Sequence, residues 1–174
     1  DRLALVNDFG AVAHAVAQLG PEDFRALCGP EAMAEAGVTS IIGPGTGLGV
    51  AQLIRGGGGY QVIETEGGHI DFAPLDAIDD AILQRLHARY RRVSVERLVS
   101  GKGLANIHEA LAAIEGRAVR PGDERELWRA ALSGSDSLAA ASLDRFCLSL
   151  GSVSGAIASW RMISTSGISA TGLE

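Results

Sequence analysis

The chain has 174 residues, of which 47% are hydrophobic and 21% charged, a composition typical of a globular domain with one core and at most one small extra lobe. Its formal net charge of -6 and the lack of a basic cluster larger than Arg89 to Arg92 argue against binding of nucleic acid through phosphate contacts. We recognise no signal peptide and no apolar run of the roughly 20 residues that a membrane span needs, so we expect neither nucleic acid nor a membrane as a partner.

Two cysteines, Cys28 and Cys147, lie far apart in apolar parts of the sequence. Buried free thiols are typical of proteins kept in the reducing cytoplasm. Neither cysteine has neighbours at the spacing of a metal site. We therefore expect a cytoplasmic protein with two buried free thiols and no metal bound by cysteine.

The chain begins with Asp1 instead of Met, and its apolar residues 3–6 predict a buried strand. We therefore expect a fragment that lacks its upstream part. Asn7 and Asp8 end the strand, and a helix is predicted from Ala11 to Leu19. A carboxylate just past a buried strand is well placed to accept a proton from a hydroxyl that attacks phosphorus. The alternative is that Asp8 only caps the helix.

Glycines separate three predicted strands in the next part of the chain. The strands cover residues 38–42, 50–54 and 60–63, with a loop at 43–49 and a turn at 56–59. Because no helix follows the loop, the pattern argues against a dinucleotide-binding or P-loop fold, in which a helix comes directly after the glycines.

Three residues of that loop, Gly45, Thr46 and Gly47, form a candidate phosphate-binding segment. Glycine lets backbone N–H groups approach an anion closely, and the Thr hydroxyl adds a donor. The alternative is a glycine-rich hairpin bend without a ligand.

Polar residues follow the third strand in the order Glu66-Gly67-Gly68-His69-Ile70-Asp71. Carboxylates and a neutral imidazole suit sugar hydroxyls, because each accepts a hydrogen bond and the imidazole also donates one. Two alternatives remain open at this point. One is a metal ion held by His69 and Asp71, and the other is a polar turn that binds nothing.

From residue 75 onwards the apolar spacing predicts helices. They cover residues 78–90, 95–99, 104–114, 123–132 and 137–159. Glu96 lies in the first turn of the second of these helices, where the helix dipole alone explains an acidic residue, and Gly101 and Gly103 are expected to end that helix. The last helix has only two charged residues, Asp144 and Arg145, which predicts burial on most of its sides.

The order of these motifs closely resembles that of the bacterial-type glucokinases, which belong to the hexokinase/actin-like ATPase superfamily. The matching segments are Asn-Asp-Phe at 7–9, Gly-Pro-Gly-Thr-Gly-Leu-Gly-Val-Ala at 43–51, Glu-Gly-Gly-His-Ile-Asp-Phe-Ala-Pro at 66–74 and Val-Ser-Val-Glu-Arg-Leu-Val-Ser-Gly-Lys-Gly-Leu at 93–104. The resemblance implies an α/β, hexokinase/actin-like (ribonuclease H-like) fold. Residues 1–158 would form most of its larger lobe with the end of the hinge strand, and residues 159–174 an irregular tail that is either disordered or not native to the fold.

The resemblance also implies ATP-dependent phosphorylation of glucose at its 6-hydroxyl, the first step of glycolysis, with ATP and Mg²⁺ as cofactors and glucose as substrate. Asp8 corresponds to the family's general base. The residues that correspond to the glucose-binding set are Asn7, Asp8, Glu66, His69 and Glu96, and those that correspond to a phosphate loop are Gly45, Thr46 and Gly47.

Two family segments have no counterpart in this sequence, namely an N-terminal Asp-x-Gly-Gly-Thr phosphate loop with its metal-binding acid and a C-terminal segment that contacts adenosine. We therefore expect the chain to be inactive by itself, because losing a phosphate-binding element removes transition-state stabilisation. The alternative is a non-catalytic sugar-binding or degenerate glucokinase-like protein. A sheet without its neighbours exposes strand edges, so we also expect a homodimer or wider self-association.

Overall fold

The computed structural model describes residues 5–29, 36–118 and 122–159, and these residues divide into two units. The first, called the sheet unit here, contains the described residues up to 42, those from 50 to 65 and those from 155 onwards. The second, called the helical unit, contains residues 43–49 and 66–154. Each unit has its own buried residues.

The three predicted strands are present and longer than expected. They are β1 (Gly37–Pro44), β2 (Leu48–Gly56) and β3 (Gly59–Thr65), in the order β1-β2-β3. The strands β2 and β3 pair antiparallel from Val50↔Thr65 to Gly56↔Gly59. Gly57 and Gly58 form the two-residue turn between them with φ values of 61° and 80°, a conformation that favours glycine and matches the twist of a hairpin.

The helix α1 (Asp8–Val16) packs on this sheet. Its buried Ala13 joins Ile41 of β1 with Ala51 and Leu53 of β2, and four further apolar side chains surround that cluster: Phe9, Val16, Ala17 and Val62. Phe9, Ala13 and Val16 recur at helical spacing, so one face of α1 covers the sheet. This packing fixes where the first turn of α1 lies in the sheet unit.

The beginning of the chain differs from the prediction. The helix α1 starts at Asp8, three residues earlier than expected, because the Asn7 side chain accepts a hydrogen bond from the Gly10 N–H and so caps the helix. Of the predicted strand at 3–6, residues 3 and 4 lie outside the described residues. Leu5 and Val6 are in no strand, and Leu5 is 96% exposed.

The described residues of the helical unit include the helices α2 (Ala77–His87), α3 (Gly101–Ile114) and α4 (Glu124–Ser133) and most of α5 (Ser137–Ser159). Within this unit Ile82 and Leu104 are fully buried, and the rings of Trp128 and Phe146 meet edge to face at 5.2 Å. Arg145 contacts Asp76 and the buried Asp79, which ties α5 to the start of α2.

The predicted helix at 95–99 is wrong, because the chain forms a single 3-10 turn there, Val95–Arg97. Gly101 and Gly103 do not end a helix but lie in the first turn of α3. The reason is the buried Ser100, whose hydroxyl accepts a hydrogen bond from the Gly103 N–H and caps α3 at that point.

The predicted burial of α5 on most sides and of both thiols is also wrong. Leu148 is 53% exposed, and Cys28 and Cys147 are exposed free cysteines. Few charges indicate an apolar helix but not which of its faces other residues cover. None of the helices within the described ranges has both the length and the hydropathy of a membrane span. Ser159, the first residue of the predicted tail, is the last residue of α5, and the rest of that tail lies outside the described residues.

Candidate active site

Asn7 and Asp8 form the start of α1 in the sheet unit. Asn7 is the N-cap, so the alternative that Asp8 caps the helix is wrong. Asp8 occupies the first helical position, is exposed, and accepts a hydrogen bond at Oδ1 from the N–H of Phe9 at 2.8 Å.

Glu64, at the end of β3, was missed by the sequence analysis. Its Oε1 accepts the Asn7 N–H at 3.0 Å, and a Cβ added to Gly10 would lie 2.2 Å from that same oxygen. Glu64 therefore lies over the first turn of α1. Strand alternation could have indicated this position, because side chains two residues apart in a strand point to the same side. Val62 packs toward α1, and Glu64 lies two residues further on.

The loop Gly45–Gly47 joins β1 to β2 and belongs to the helical unit. The Gly45 N–H donates to the Gly47 carbonyl at 2.8 Å, and the Gly45 carbonyl accepts the Gly101 N–H, at the start of α3, at 2.7 Å. Gly45 and Thr46 are exposed. In the described part of the chain the N–H groups of Thr46 and Gly47 donate to no protein acceptor, so both are available to an anion.

Leu48 is the point at which three segments of the helical unit meet. Its N–H donates to Oε2 of Glu96 at 3.1 Å. Its carbonyl oxygen lies so close to Gly68 that a Cβ there would come within 2.3 Å of it. A Cβ on Gly47 would lie 2.4 Å from Oε2 of Glu96. The backbone of Leu48 therefore contacts the 3-10 turn Gly67–His69 (the Glu66 turn) and the Glu96 side chain of the 3-10 turn Val95–Arg97 (the Glu96 turn). The absence of a Cβ at Gly47 and Gly68 makes this close approach possible.

The Glu66 turn is the 3-10 turn Gly67–His69 with Glu66 at its start. The side chains of Glu66 and His69 are 83% and 58% exposed, and His69 Nε2 lies 3.5 Å from Glu66 Oε2. Glu66 makes no side-chain capping bond. Both polar groups are thus close together and open to a ligand, as a site for hydroxyl groups requires.

Asp71 is not part of the pair formed by Glu66 and His69. Its carboxylate pairs with Arg92, and its backbone forms a β-bridge with Ser94. The Val95 N–H also donates to the Ile70 carbonyl at 2.9 Å, which joins the Glu66 turn to the Glu96 turn. Within residues 5–29, 36–118 and 122–159, no group of three or more His, Cys, Asp or Glu could hold a metal ion.

The Glu96 turn is held by two buried polar side chains that the sequence analysis missed. The Ser100 hydroxyl donates to the Glu96 carbonyl at 2.8 Å, and the Asn106 amide donates to the Arg97 carbonyl at 2.8 Å. Asn106 is 7% exposed and lies between Leu104 and Ile107 on an apolar helix. A polar residue at such a position indicates a structural hydrogen bond.

Groups with shifted pKa values lie outside this cluster. The pKa of Asp76 is lowered by the hydrogen bond from the Asp79 N–H and by Arg145, and that of Asp136 by the hydrogen bond from the Ala139 N–H. Burial lowers the pKa of His108 on α3. The two carboxylates begin the helices α2 and α5, so their shifts reflect helix capping.

A family model described as Glucokinase matches residues 1–172. The glucokinase of Zymomonas mobilis is 60% identical over 159 residues, which are 91% of this chain and 49% of that protein. The chain spans about half the length of the curated relatives it matches, 49% and 46% for two of them.

Solved glucokinase structures share the fold. One from an Antarctic psychrotroph superposes with a TM-score of 0.80 at 32% identity, over 90% of this chain and 48% of that one. The glucokinase of Balamuthia mandrillaris in complex with glucose superposes with a TM-score of 0.61 at 22% identity, over 79% and 42%. The predicted α/β, hexokinase-like partial fold is confirmed by the first of these likenesses together with the mixed helices and sheet.

Proposed function

Because the chain belongs to the glucokinase family, we propose that it serves the transfer of the γ-phosphoryl group of ATP to the 6-hydroxyl of glucose, the first step of glycolysis. One observation carries the proposal. The loop proposed to bind phosphate and both turns proposed to bind sugar meet at the backbone of Leu48. A kinase needs its sugar and phosphate contacts close together, because phosphoryl transfer depends mainly on positioning.

Asp8 is the proposed general base. As the glucose O6 attacks the γ-phosphorus, a new O6–P bond forms and the bond to the β-phosphate oxygen of ATP breaks, which releases ADP. The proton of the 6-hydroxyl passes to the Asp8 carboxylate. The exposure of Asp8 and its place in the first turn of α1 support this role.

The remaining sugar hydroxyls are assigned to four side chains: Asn7, Glu66, His69 and Glu96. Glu66 and His69 project exposed polar groups from one turn, and Glu96 is half-buried. Hydrogen bonds of this kind select among sugars, because a sugar with one hydroxyl misplaced leaves a protein group without its partner.

Gly45, Thr46 and Gly47 are proposed to contact the transferred phosphoryl group through the N–H groups of Thr46 and Gly47 and the Thr46 hydroxyl. ATP is expected as its magnesium complex. In such a complex Mg²⁺ is usually held by phosphate oxygens and water together with one or two carboxylates.

A glucose titration of the chain by calorimetry tests the proposal. We expect saturable binding of glucose and weaker binding of 6-deoxyglucose, which lacks the hydroxyl that Asp8 contacts. In Asp8→Asn the difference in affinity between glucose and 6-deoxyglucose should shrink, because the Asp8 carboxylate and the 6-hydroxyl are proposed to interact directly. Absence of saturable glucose binding would refute the proposal, and an unchanged difference in Asp8→Asn would remove Asp8 from its role.

We expect the chain by itself to form no ADP in a coupled assay with glucose and MgATP. Glucose-dependent ADP formation by the chain would rule out the alternative, a sugar-binding protein without catalysis. We also propose that the protein acts in the cytoplasm, where ATP is made available to kinases. Self-association is proposed because large apolar side chains, among them Leu132 and Leu148, are exposed. Light scattering after gel filtration should then report a mass above the 18.0 kDa of one chain.

A further inference from the structure

The carboxylate of Glu96 is attached to the phosphate loop. Its Oε2 accepts the Leu48 N–H at 3.1 Å, although 48 residues separate the two in the chain. Leu48 is buried and Glu96 half-buried, so water competes little for this contact and the bond is charge-assisted. Gly47, next to Leu48, has its Cα so close that any Cβ would lie 2.4 Å from Oε2.

The backbone beneath that carboxylate is fixed as well. Ser100 donates to the Glu96 carbonyl, and Asn106 donates to the carbonyl of the next residue, Arg97. The Glu96 side chain therefore joins the hydrogen-bonded turn Val95–Arg97 to the backbone of Leu48 at the end of the loop. A carboxylate offers about four lone-pair sites, of which the Leu48 N–H uses one, so Oε1 remains for a sugar hydroxyl.

We infer that the Gly47-Leu48 backbone is a positioning element for Glu96, and that it couples sugar binding to the conformation of the phosphate loop. The inference rests on the proposed function, in which Glu96 contacts the sugar and the loop contacts phosphate. A sugar that binds Oε1 favours the conformation in which Leu48 holds Oε2. Because coupling is reciprocal, a phosphate ligand that orders the loop favours sugar binding in return.

The matched substitutions Gly47→Ala and Gly56→Ala test this coupling. The first forces the Glu96 carboxylate away from its place. The second adds the same methyl group at the far end of β2, the strand that follows Gly47, where nothing lies within 4 Å. We expect glucose affinity to fall about tenfold in Gly47→Ala, the scale of one charged hydrogen bond, and to change less than twofold in Gly56→Ala. Unchanged affinity in Gly47→Ala would overturn the inference.

A second readout does not depend on glucose. In nitrogen-15 NMR spectra the Leu48 amide proton should move to higher field in both Glu96→Gln and Gly47→Ala, because its bond to a charged acceptor weakens, and should stay in place in Gly56→Ala. An unmoved Leu48 signal in Glu96→Gln would overturn the inference even if glucose binds. If the unaltered chain binds no glucose while the Leu48 signal moves as expected, the proposed function fails and the positioning contact stands.

Discussion

Two 3-10 turns, Gly67–His69 and Val95–Arg97, each bring one carboxylate to the candidate site, and they hold it differently. The Glu66 side chain is 83% exposed, lies 3.5 Å from His69 and makes no capping bond to its own turn. Glu96 is half-buried, bonded to the Leu48 N–H, and supported from below by Ser100 and Asn106. One carboxylate is therefore free to adjust and the other is already in position.

The difference has an energetic consequence. A free Glu side chain loses rotational freedom when it binds a ligand, at a cost of about 1 kcal/mol, whereas a side chain already fixed has little left to lose. Changes around Glu96 should therefore alter folding stability as well as sugar affinity. Changes to the Glu66 side chain should alter sugar affinity alone. The backbone of the same turn, in contrast, is tightly packed at Gly68.

The largest effect is expected for Gly68→Ala, which tests that tight packing. The added Cβ would lie 2.3 Å from the Leu48 carbonyl oxygen, a backbone atom that cannot simply rotate away. We expect the free energy of unfolding to fall by about 3 kcal/mol, measured by denaturant titration. Gly59→Ala is the control, because nothing lies within 4 Å of its added Cβ. Equal losses in the two variants would contradict the packing at Leu48.

Ser100→Ala should have the next largest effect. It removes the cap of α3 and the hydrogen bond to the Glu96 carbonyl together, which predicts a loss of about 2 kcal/mol in unfolding free energy and weaker glucose binding. Ser94→Ala is the matched control, since Ser94 is also buried but its side chain makes no capping bond. A Ser100→Ala variant as stable as the control would show that the Glu96 turn does not depend on this support.

Glu66→Gln should affect binding without affecting folding. It keeps the size of the side chain and removes its charge, so we expect about tenfold weaker glucose binding and an unfolding free energy within about 0.5 kcal/mol of the original. Calorimetry and denaturant titration measure the two quantities. A clear loss of stability would mean that Glu66 is held as firmly as Glu96, which would end the contrast between the turns.

The smallest effect concerns pH and the helix that supports the Glu96 turn. Burial lowers the pKa of His108 on α3 below its ordinary value of 6.5. Between pH 6.5 and the lowered pKa of His108, the unfolded chain binds more protons than the folded one. The contribution of His108 to folding stability is therefore complete above pH 6.5 and is lost as the pH falls below that value. Denaturant titrations at several pH values should show this loss in the original chain and less of it in His108→Gln. Identical pH profiles would exclude His108 as the cause.

Much of the fold could be predicted from local patterns. The three strands, the glycine turn between β2 and β3, and the helices α2, α4 and α5 follow from apolar spacing and turn residues. The start of α1 and the 3-10 turn at Val95–Arg97 did not, because the side chains of Asn7 and Ser100 moved helix boundaries by a few residues. Burial of α5 was also misjudged, since sequence does not reveal which faces are covered.

The candidate site was less accessible to sequence reasoning than the fold. Motif order indicated which residues to consider, but the bond from Leu48 to Glu96 and the bond from Asn7 to Glu64 join positions 48 and 57 residues apart. Such contacts depend on tertiary packing. The alternation along β3, which places Glu64 on the same side as Val62, indicated one of them, and no local pattern indicated the other. The roles of Asp8, Glu66, His69 and Glu96 remain predictions for the experiments above.

A glucose titration followed by nitrogen-15 NMR of the unaltered chain tests the central claim most directly. We predict that the amide signals of Gly47, Leu48, His69 and Glu96 move together and saturate with one dissociation constant, because the loop and both turns contact one another around the same ligand. Signals that do not move at saturating glucose, or that move with unrelated dissociation constants, would contradict a single sugar site built on Leu48.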